Sequence, residues 1–590
     1  MKEMMIEKCQ EIEHVPHRGQ EILADPLTNK TLAFGLNERD RLGLRGLLPP
    51  VVLTMDQQAE LYQQEYQLGF MEMASRDPDD ETLKSGVTPQ MIRKMKVLQN
   101  LQDRDETLFY HLVMNNIEEM APIIYTPTVG WFCKNYSRMF RRPRGMFITA
   151  KDKGQIAPIL QNWPSPEVDA IVVTDGSRIL GLGDLGIGGL GISIGKLDLY
   201  VGAGGFHPKR ILPVVIDVGT NNERLLNDPN YLGLKQNRLD GQEYYEIIDE
   251  FMVAVSQRWP NALIQFEDFQ LKHALNLLER YRNDFLVFND DIQGTSAIVL
   301  SGIIGALKIQ DKPAREFVNQ RFVVVGAGSA GMGVVFSVSL FLQRFGLSTA
   351  EAADRFFVLD NLGLITAARN DLTHRVKAFA RLETADEGMD LISVIKKYKP
   401  TCLIGLSGCG GIFTPEVLKA MTDQPPGNRP IIFPLSNPTS KAECTAEEAQ
   451  LYTNNTAIFG SGSPFADVTI DSNIIRSNQA NNVYIYPGLA LGSFLGDTRV
   501  ITDSMIVASS EALSEMIDPA DYRKRSIYPC LKNIRETSVH IAAKVIQQAD
   551  TEGRLNNKAA KAALQSSIED LKIYIRQRQW NPAYRHLVYQ

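Results

Sequence analysis

The chain has 590 residues, 44% of them hydrophobic and 22% charged. Its 62 basic and 69 acidic side chains give a net charge of −7 and an isoelectric point near 5.8, which excludes a general polyanion binder, because phosphate-backbone affinity needs a basic field. At about 150 residues per domain the length predicts roughly four domains.

No run of about 18 uncharged apolar residues occurs, so no membrane span is expected. The richest apolar stretch reads as Leu185–Val201, interrupted by Lys196 and Asp198. The start, Met1–Lys8, is too acidic for a transit peptide and lacks a signal-type apolar core, so a cytoplasmic protein is expected. Cys9, Cys133, Cys402, Cys409, Cys444 and Cys530 form no C-x-x-C pair and there is no H-E-x-x-H, which argues against a disulfide scaffold or a zinc site. Any metal would then be held by carboxylates, as Mg²⁺ or Mn²⁺ are.

Residues 1–120 read as mostly helical. Thr88-Pro89 offers an N-cap with proline at the first helical position, and Gln90–Met120 carries apolar residues at helical spacing. From about residue 145, short apolar runs alternate with helical segments, as in an α/β fold. The predicted strands are Ala170–Thr174, Leu212–Val218, Leu263–Phe266, Phe285–Phe288, Phe322–Val325, Phe356–Leu359, Cys402–Leu406 and Ile431–Leu435. Residues 536–550 are again helical, with Val539, Ala543 and Ile546 on one face, and the chain beyond Gly553 is polar.

G-x-G-x-x-G occurs twice, and context separates the two. Gly326-Ala-Gly328-Ser-Ala-Gly331 follows the strand Phe322–Val325 and opens into a helix-length apolar stretch, Met332–Phe345, that contains Gly333. The next strand ends in Asp360, 29 residues after Gly331 rather than the usual spacing of about 20. This order is that of a dinucleotide-binding unit: glycines admit the pyrophosphate, the helix N-terminus stabilises its charge, and Asp360 accepts from ribose hydroxyls. Gly181-Leu-Gly183-Asp-Leu-Gly186 is followed by Ile187–Gly195, which carries too many glycines for a helix interior at about 1 kcal/mol each. It is also no P-loop, and it reads as a close-approach surface that presents Lys196.

Several apolar runs end in acids, notably before Glu267-Asp268 and Asp290-Asp291. Either pair alone could be a helix cap. Four converging carboxylates would repel strongly, and a hard divalent cation relieves that repulsion. Nucleotide loop, divalent metal and candidate lysine base together imply hydride chemistry on a hydroxy acid.

Nine blocks carry a resemblance: LGLRGLLPP (42–50), LQDRDETLFY (101–110), PIIYTPTVG (122–130), FRRPRG (140–145), VVTDGSRILGLGD (172–184), QFEDF (265–269), FNDDIQGT (288–295), SNPTSKAEC (436–444) and NNVYIYPG (481–488). Along nearly its whole length the chain resembles the malic enzymes. That resemblance implies oxidative decarboxylation of (S)-malate to pyruvate and CO₂ with NAD⁺ or NADP⁺ and Mn²⁺ or Mg²⁺. It implies Lys196 as general base with Asp290 orienting it, and Tyr125 as the acid that protonates C3. It further implies Glu267, Asp268 and Asp291 as metal ligands, Arg178 on the C1 carboxylate, and Asn437 with Asn481 or Asn482 on substrate and nicotinamide ribose. A lysine base needs a lowered pKa, through burial or a neighbouring cation.

Ser329 departs from the family, which often has glutamate there. Asp360 disfavours a 2′-phosphate, whereas Lys377 stands where NADP-type members tend to carry a lysine, so NAD is weakly preferred. Arg104 matches a residue used by some members for fumarate activation, but the segment around it, with Asp77–Asp80, does not complete such a site. Malolactic conversion to lactate is the alternative reaction. The expected architecture is a Rossmann-type NAD-binding domain (290–482) inserted in a second α/β substrate domain (144–289, completed by 483–550). A helical N-terminal region (1–143) precedes them and a segment 551–590 follows. Expected partners are malate and further copies of the chain as a homodimer or tetramer, without nucleic acid or membrane.

Overall fold

The computed structural model describes residues 12–68, 87–423 and 428–590. Met1–Lys8, Cys9 and Asp77–Asp80 lie outside these. Helices dominate the N-terminal part. Thr88 caps Pro89–Gln102 as expected, its hydroxyl accepting from Met91 N. The stretch read as one helix to Met120 is three: Pro89–Gln102, Glu106–Asn115 and Ile117–Ile124. The break falls at Asp105, whose carboxylate caps the second helix by accepting from Leu108 N.

Two parallel sheets follow. The first runs Met146–Thr149, Ile211–Asp217, Ala170–Thr174, Leu263–Phe266 and Val287–Asn289 in spatial order. The second runs Asn478–Gln479, Ile458–Ser461, Ile431–Pro434, Cys402–Gly405, Phe322–Val325, Phe356–Asp360 and Gly363–Leu364, antiparallel only in its last pair. All eight predicted strands exist, within two residues at their ends. The strands missed include Met146–Thr149 and Ile458–Ser461, each with only a two- or three-residue apolar run beside glycine- and proline-containing turns.

Asp290–Ile309 is helical throughout and, by length and composition alone, apolar enough to cross a membrane. This helix, not Leu185–Val201, is the most span-like stretch among the described residues, and 83% of its most apolar part is buried inside the protein. It packs on Ser329–Arg344 and Asp503–Glu515 as a core helix. Ile534–Thr551 buries Val539, Ala543 and Ile546 as expected, against Tyr486–Gly496 and Asp503–Glu515. The final strand, His586–Tyr589, pairs in parallel with Ile12–Val15. The cysteines among the described residues are free thiols.

The glycine-rich stretch after Gly186 departs from expectation. It makes one 3₁₀ turn, Gly186–Gly189, then a wholly buried helix, Leu190–Leu199. A Cβ on Gly191 would stand 2.8 Å from Cys133 Sγ, and one on Gly195 2.8 Å from the Ile124 carbonyl. Tertiary contact with Thr128–Lys134 therefore requires glycine and overrides the low helix propensity.

Candidate functional site

The carboxyl ends of both sheets face one cavity of about 240 Å³, lined among others by Tyr125, Arg178, Lys196, Glu267, Asp268, Asp291, Asn437, Asn481 and Asn482. The four acids and Tyr125 sit where their elements stop. Glu267 and Asp268 follow Leu263–Phe266, Asp290 and Asp291 follow Val287–Asn289, and Tyr125 closes Ile117–Ile124 just before the cis Thr126–Pro127 bond.

Lys196, 1% exposed, enters from the buried helix and donates to Asp290 Oδ2, with Nζ 3.0 Å from Glu267 Oε1. Its Nζ also lies 4.6 Å from the centroid of the Tyr486 ring and 5.1 Å from that of Tyr125. The expected lowering of its pKa is not what these neighbours produce. Burial works against the ammonium, but the Asp290 and Glu267 carboxylates outweigh it and hold the pKa well above the usual lysine value. Burial raises the Tyr125 hydroxyl, keeping it protonated.

Glu267, Asp268 and Asp291 each offer an oxygen, all within 4.8 Å of one another. Burial first, then mutual repulsion, pushes the Glu267 and Asp268 carboxyls well above their usual range. The Asp291 carboxyl is raised by burial although Arg178 and Lys196 pull it down. The trio is held rigidly, with Asp268 Oδ2 accepting from Leu180 N at 2.8 Å and Asp291 Oδ2 from Asp268 N at 2.8 Å. Three buried hard-oxygen donors converging at that spacing fit Mg²⁺ or Mn²⁺. Arg178 faces them and makes no side-chain hydrogen bond among the described residues.

The two neighbouring asparagines separate. Asn482 Nδ2 donates to the Asp290 backbone carbonyl (3.2 Å), Asp290 Oδ2 (3.0 Å) and Thr295 Oγ1 (3.3 Å), so it braces the lysine's partner. Asn481 caps the following turn, its Oδ1 accepting from Val483 N, and lines the cavity. Asn437 Oδ1 accepts from Ser463 Oγ at 2.6 Å. Tyr486, Tyr200 and Gln265 were not singled out from the sequence. Gln265, an amide inside an otherwise apolar buried strand, was the one available signal.

The second glycine loop opens the helix Ser329–Arg344 with Gly328 at its N-cap. Gly326 has φ 120°, and a Cβ there would be 2.4 Å from the Leu406 carbonyl; one on Gly331 would be 1.9 Å from the Gly326 carbonyl. At Gly333 the nearest atom would be 3.0 Å away, on Ile292, while a Cβ on Gly328 would meet nothing closer than Leu271 Cδ1 at 3.9 Å, leaving room for an approaching pyrophosphate. Ala330 of this helix lines the same cavity as Lys196. Asp360, however, is not a free acid: it accepts from Leu362 N at 2.8 Å and is ion-paired with Arg369, which also pairs with Glu387. Arg104 contacts the Tyr62 hydroxyl, away from this cavity.

A nucleotide-type glycine loop facing a buried lysine among carboxylates, across a cleft between two parallel sheets, defines a dinucleotide-dependent oxidoreductase. The comparisons narrow this. Residues 102–282 match the family described as malic enzyme, N-terminal domain, and 292–550 match malic enzyme, NAD binding domain. NAD-dependent malic enzyme 2, mitochondrial, of Arabidopsis thaliana is 46% identical over 98% of this chain and 94% of that protein. NADP-dependent malic enzyme of Dictyostelium discoideum is 43% identical over 95% and 98%. The crystal structure of malic enzyme from Pyrococcus horikoshii superposes with a TM-score of 0.52 at 23% identity, covering 78% of this chain and 89% of that one, which shows the shared fold. The chain belongs to the malic enzyme family and is an NAD(P)-dependent decarboxylating oxidoreductase. The lactate-forming alternative finds no support among these relatives. Nor does the expectation of a cytoplasmic protein, since the Arabidopsis relative is named mitochondrial.

Proposed function

We propose that this chain oxidatively decarboxylates (S)-malate to pyruvate and CO₂ with the following division of labour. The observation that carries it is the placement of Lys196 and the Glu267–Asp268–Asp291 trio in one cavity with Ala330 of the nucleotide loop, with Asp290 buried behind the lysine. When bound, a divalent cation on the trio supplies Lewis acidity at the C2 oxygen and C1 carboxylate, and NAD(P)⁺ supplies the hydride acceptor. Lys196 takes the C2 hydroxyl proton, and a cation beside Glu267 offsets the carboxylate charge that otherwise keeps its ammonium form. Asp290 fixes the position of Nζ, and Asn482 fixes Asp290. Arg178 grips the C1 carboxylate, a planar bidentate task suited to guanidinium. Asn437 and Asn481 orient substrate and nicotinamide ribose. Tyr125 delivers its hydroxyl proton to C3 after CO₂ has left.

NAD⁺ is the favoured coenzyme, because an acid at the end of the strand after the nucleotide loop, Asp360, disfavours a 2′-phosphate; its pairing with Arg369 leaves that repulsion only partly expressed. The unit 144–289 is completed by 483–550, a reading supported by contact of Tyr486–Gly496 and Ile534–Thr551 with the Tyr200–Gly204 turn. The Rossmann unit 290–482 lies between these halves, the helical unit 1–143 before them and 551–590 after. Exposed Leu47, Val51, Val52 and Leu61 on the N-terminal unit support assembly into a homo-oligomer. The test is to mix the protein with malate, Mn²⁺ and each coenzyme. Reduced nicotinamide and pyruvate forming together, with kcat/KM higher for NAD⁺, is the expected result. Lactate without reduced coenzyme would overturn the reaction, and a higher kcat/KM for NADP⁺ would overturn the coenzyme preference.

A further inference from the structure

Gln265 is the one polar residue in the strand Leu263–Phe266, and none of its surface is exposed. Side chains alternate along a strand, so Gln265 and Glu267 project to the same side. Gln265 Nε2 lies 2.8 Å from Glu267 Oε2, and Tyr200 OH lies 2.5 Å from Gln265 Oε1. The amide orientation follows from chemistry: in the ionised form that holds a cation Glu267 only accepts, so the amide nitrogen faces Glu267, and the Tyr200 hydroxyl then donates to the amide oxygen. Tyr200 is itself fixed by stacking on Tyr486 at 5.2 Å between centroids. With Lys196 on Oε1 and Gln265 on Oε2, both oxygens of Glu267 are restrained and its carboxylate plane is set.

We infer that Gln265, locked by the Tyr200 hydroxyl, is a positioning residue that pre-orients the Glu267 carboxylate for the divalent cation. The inference rests on the proposed metal trio. Groups behind metal ligands typically change metal affinity or activity by about 10- to 100-fold when removed. Gln265→Leu removes the amide at similar volume; Tyr200→Phe removes only the hydroxyl and leaves the ring stack.

The experiment measures Mn²⁺ dissociation constants directly, by the electron paramagnetic resonance of free Mn²⁺ and without turnover, for the wild type, Gln265→Leu, Tyr200→Phe and Asp291→Asn. Expected are an Mn²⁺ Kd raised by about tenfold or more in Gln265→Leu and by severalfold in Tyr200→Phe. Coenzyme affinity should be unchanged, and excess Mn²⁺ should restore much of kcat. Wild-type Mn²⁺ affinity in both variants, with only a lowered Tm, would reduce Gln265 to packing and overturn the inference. If Gln265→Leu does not fold, Tyr200→Phe decides alone: wild-type affinity there overturns the inference. Undiminished Mn²⁺ binding in Asp291→Asn would instead overturn the metal trio, and the inference with it.

Discussion

Lys196 donates to Asp290 where each side chain is 1% exposed, so the amine cannot be repositioned by solvent or by rotamer exchange. Its place on a buried helix packed through glycine against Thr128–Lys134 fixes it from behind. Lys196→Ala is expected to slow hydride transfer by about a hundredfold to ten-thousandfold, the usual span for a general base. Coenzyme affinity, read by fluorescence titration with reduced nicotinamide, should stay near wild type. An unchanged kcat would remove Lys196 from the base role.

Asn482 offers a sharper division. It lines the cavity but its amide nitrogen is spent on Asp290, whose Oδ1 already lacks a hydrogen-bond partner. A hydrogen bond to a charged group is worth about 1.5–3 kcal/mol, or roughly ten- to a hundredfold in rate. Asn482→Ala should therefore lower kcat by that order with little change in the KM for malate. Asn481→Ala should raise a KM instead. A raised malate KM with wild-type kcat in Asn482→Ala would show that Asn482 meets the substrate.

Much of the site was legible because its chemistry is written at strand ends. Glu267, Asp268, Asp290 and Asp291 each follow a buried parallel strand, where polar residues are unexpected unless they serve a site. The helix Leu190–Leu199 was not legible, because glycine's propensity is local while the reason for Gly191 and Gly195 is a neighbouring helix distant in sequence. The same holds for Asp360. Its position at the end of Phe356–Asp360 can be read from the chain, but its partner Arg369 emerges only when the loop folds back. The role of Tyr486 is likewise invisible in sequence, since it depends on stacking against Tyr200 beneath Lys196.

Tyr125 lies with its ring 5.1 Å from Lys196 Nζ, and burial keeps its hydroxyl protonated, the state a proton donor needs. Tyr125→Phe should impair protonation of enolpyruvate at C3 by about a hundredfold while oxidation of malate is affected less. Product partitioning reads this directly as oxaloacetate or enolpyruvate released relative to pyruvate. Reduction of pyruvate to lactate needs no proton at C3, so an equal loss in that side reaction would contradict the assignment.

Asp198 lies two residues from Lys196 and is 6% exposed, accepting from Gln102 Nε2 at 2.6 Å and Tyr110 OH at 2.9 Å. Burial raises its carboxyl to about 7 despite the Arg144 guanidinium, against an ordinary value of 3.8. A folded-state pKa above the unfolded one means that the folded chain binds the extra proton. The stability this contributes is complete below about pH 4 and is lost as pH rises through about 7. At about 1.4 kcal/mol per unit the loss is of the order of 4 kcal/mol. Asp198→Asn retains an acceptor for Gln102 and Tyr110 and has no charge to bury. Asp105, raised by burial to about 7 as well, titrates in both proteins and cancels in the difference. Denaturant unfolding at pH 5 and pH 8 should therefore show wild type losing more stability than Asp198→Asn between the two. Parallel losses would mean that Asp198 is already ionised in the folded protein at pH 5, stabilised by Arg144 beyond the cost of its burial.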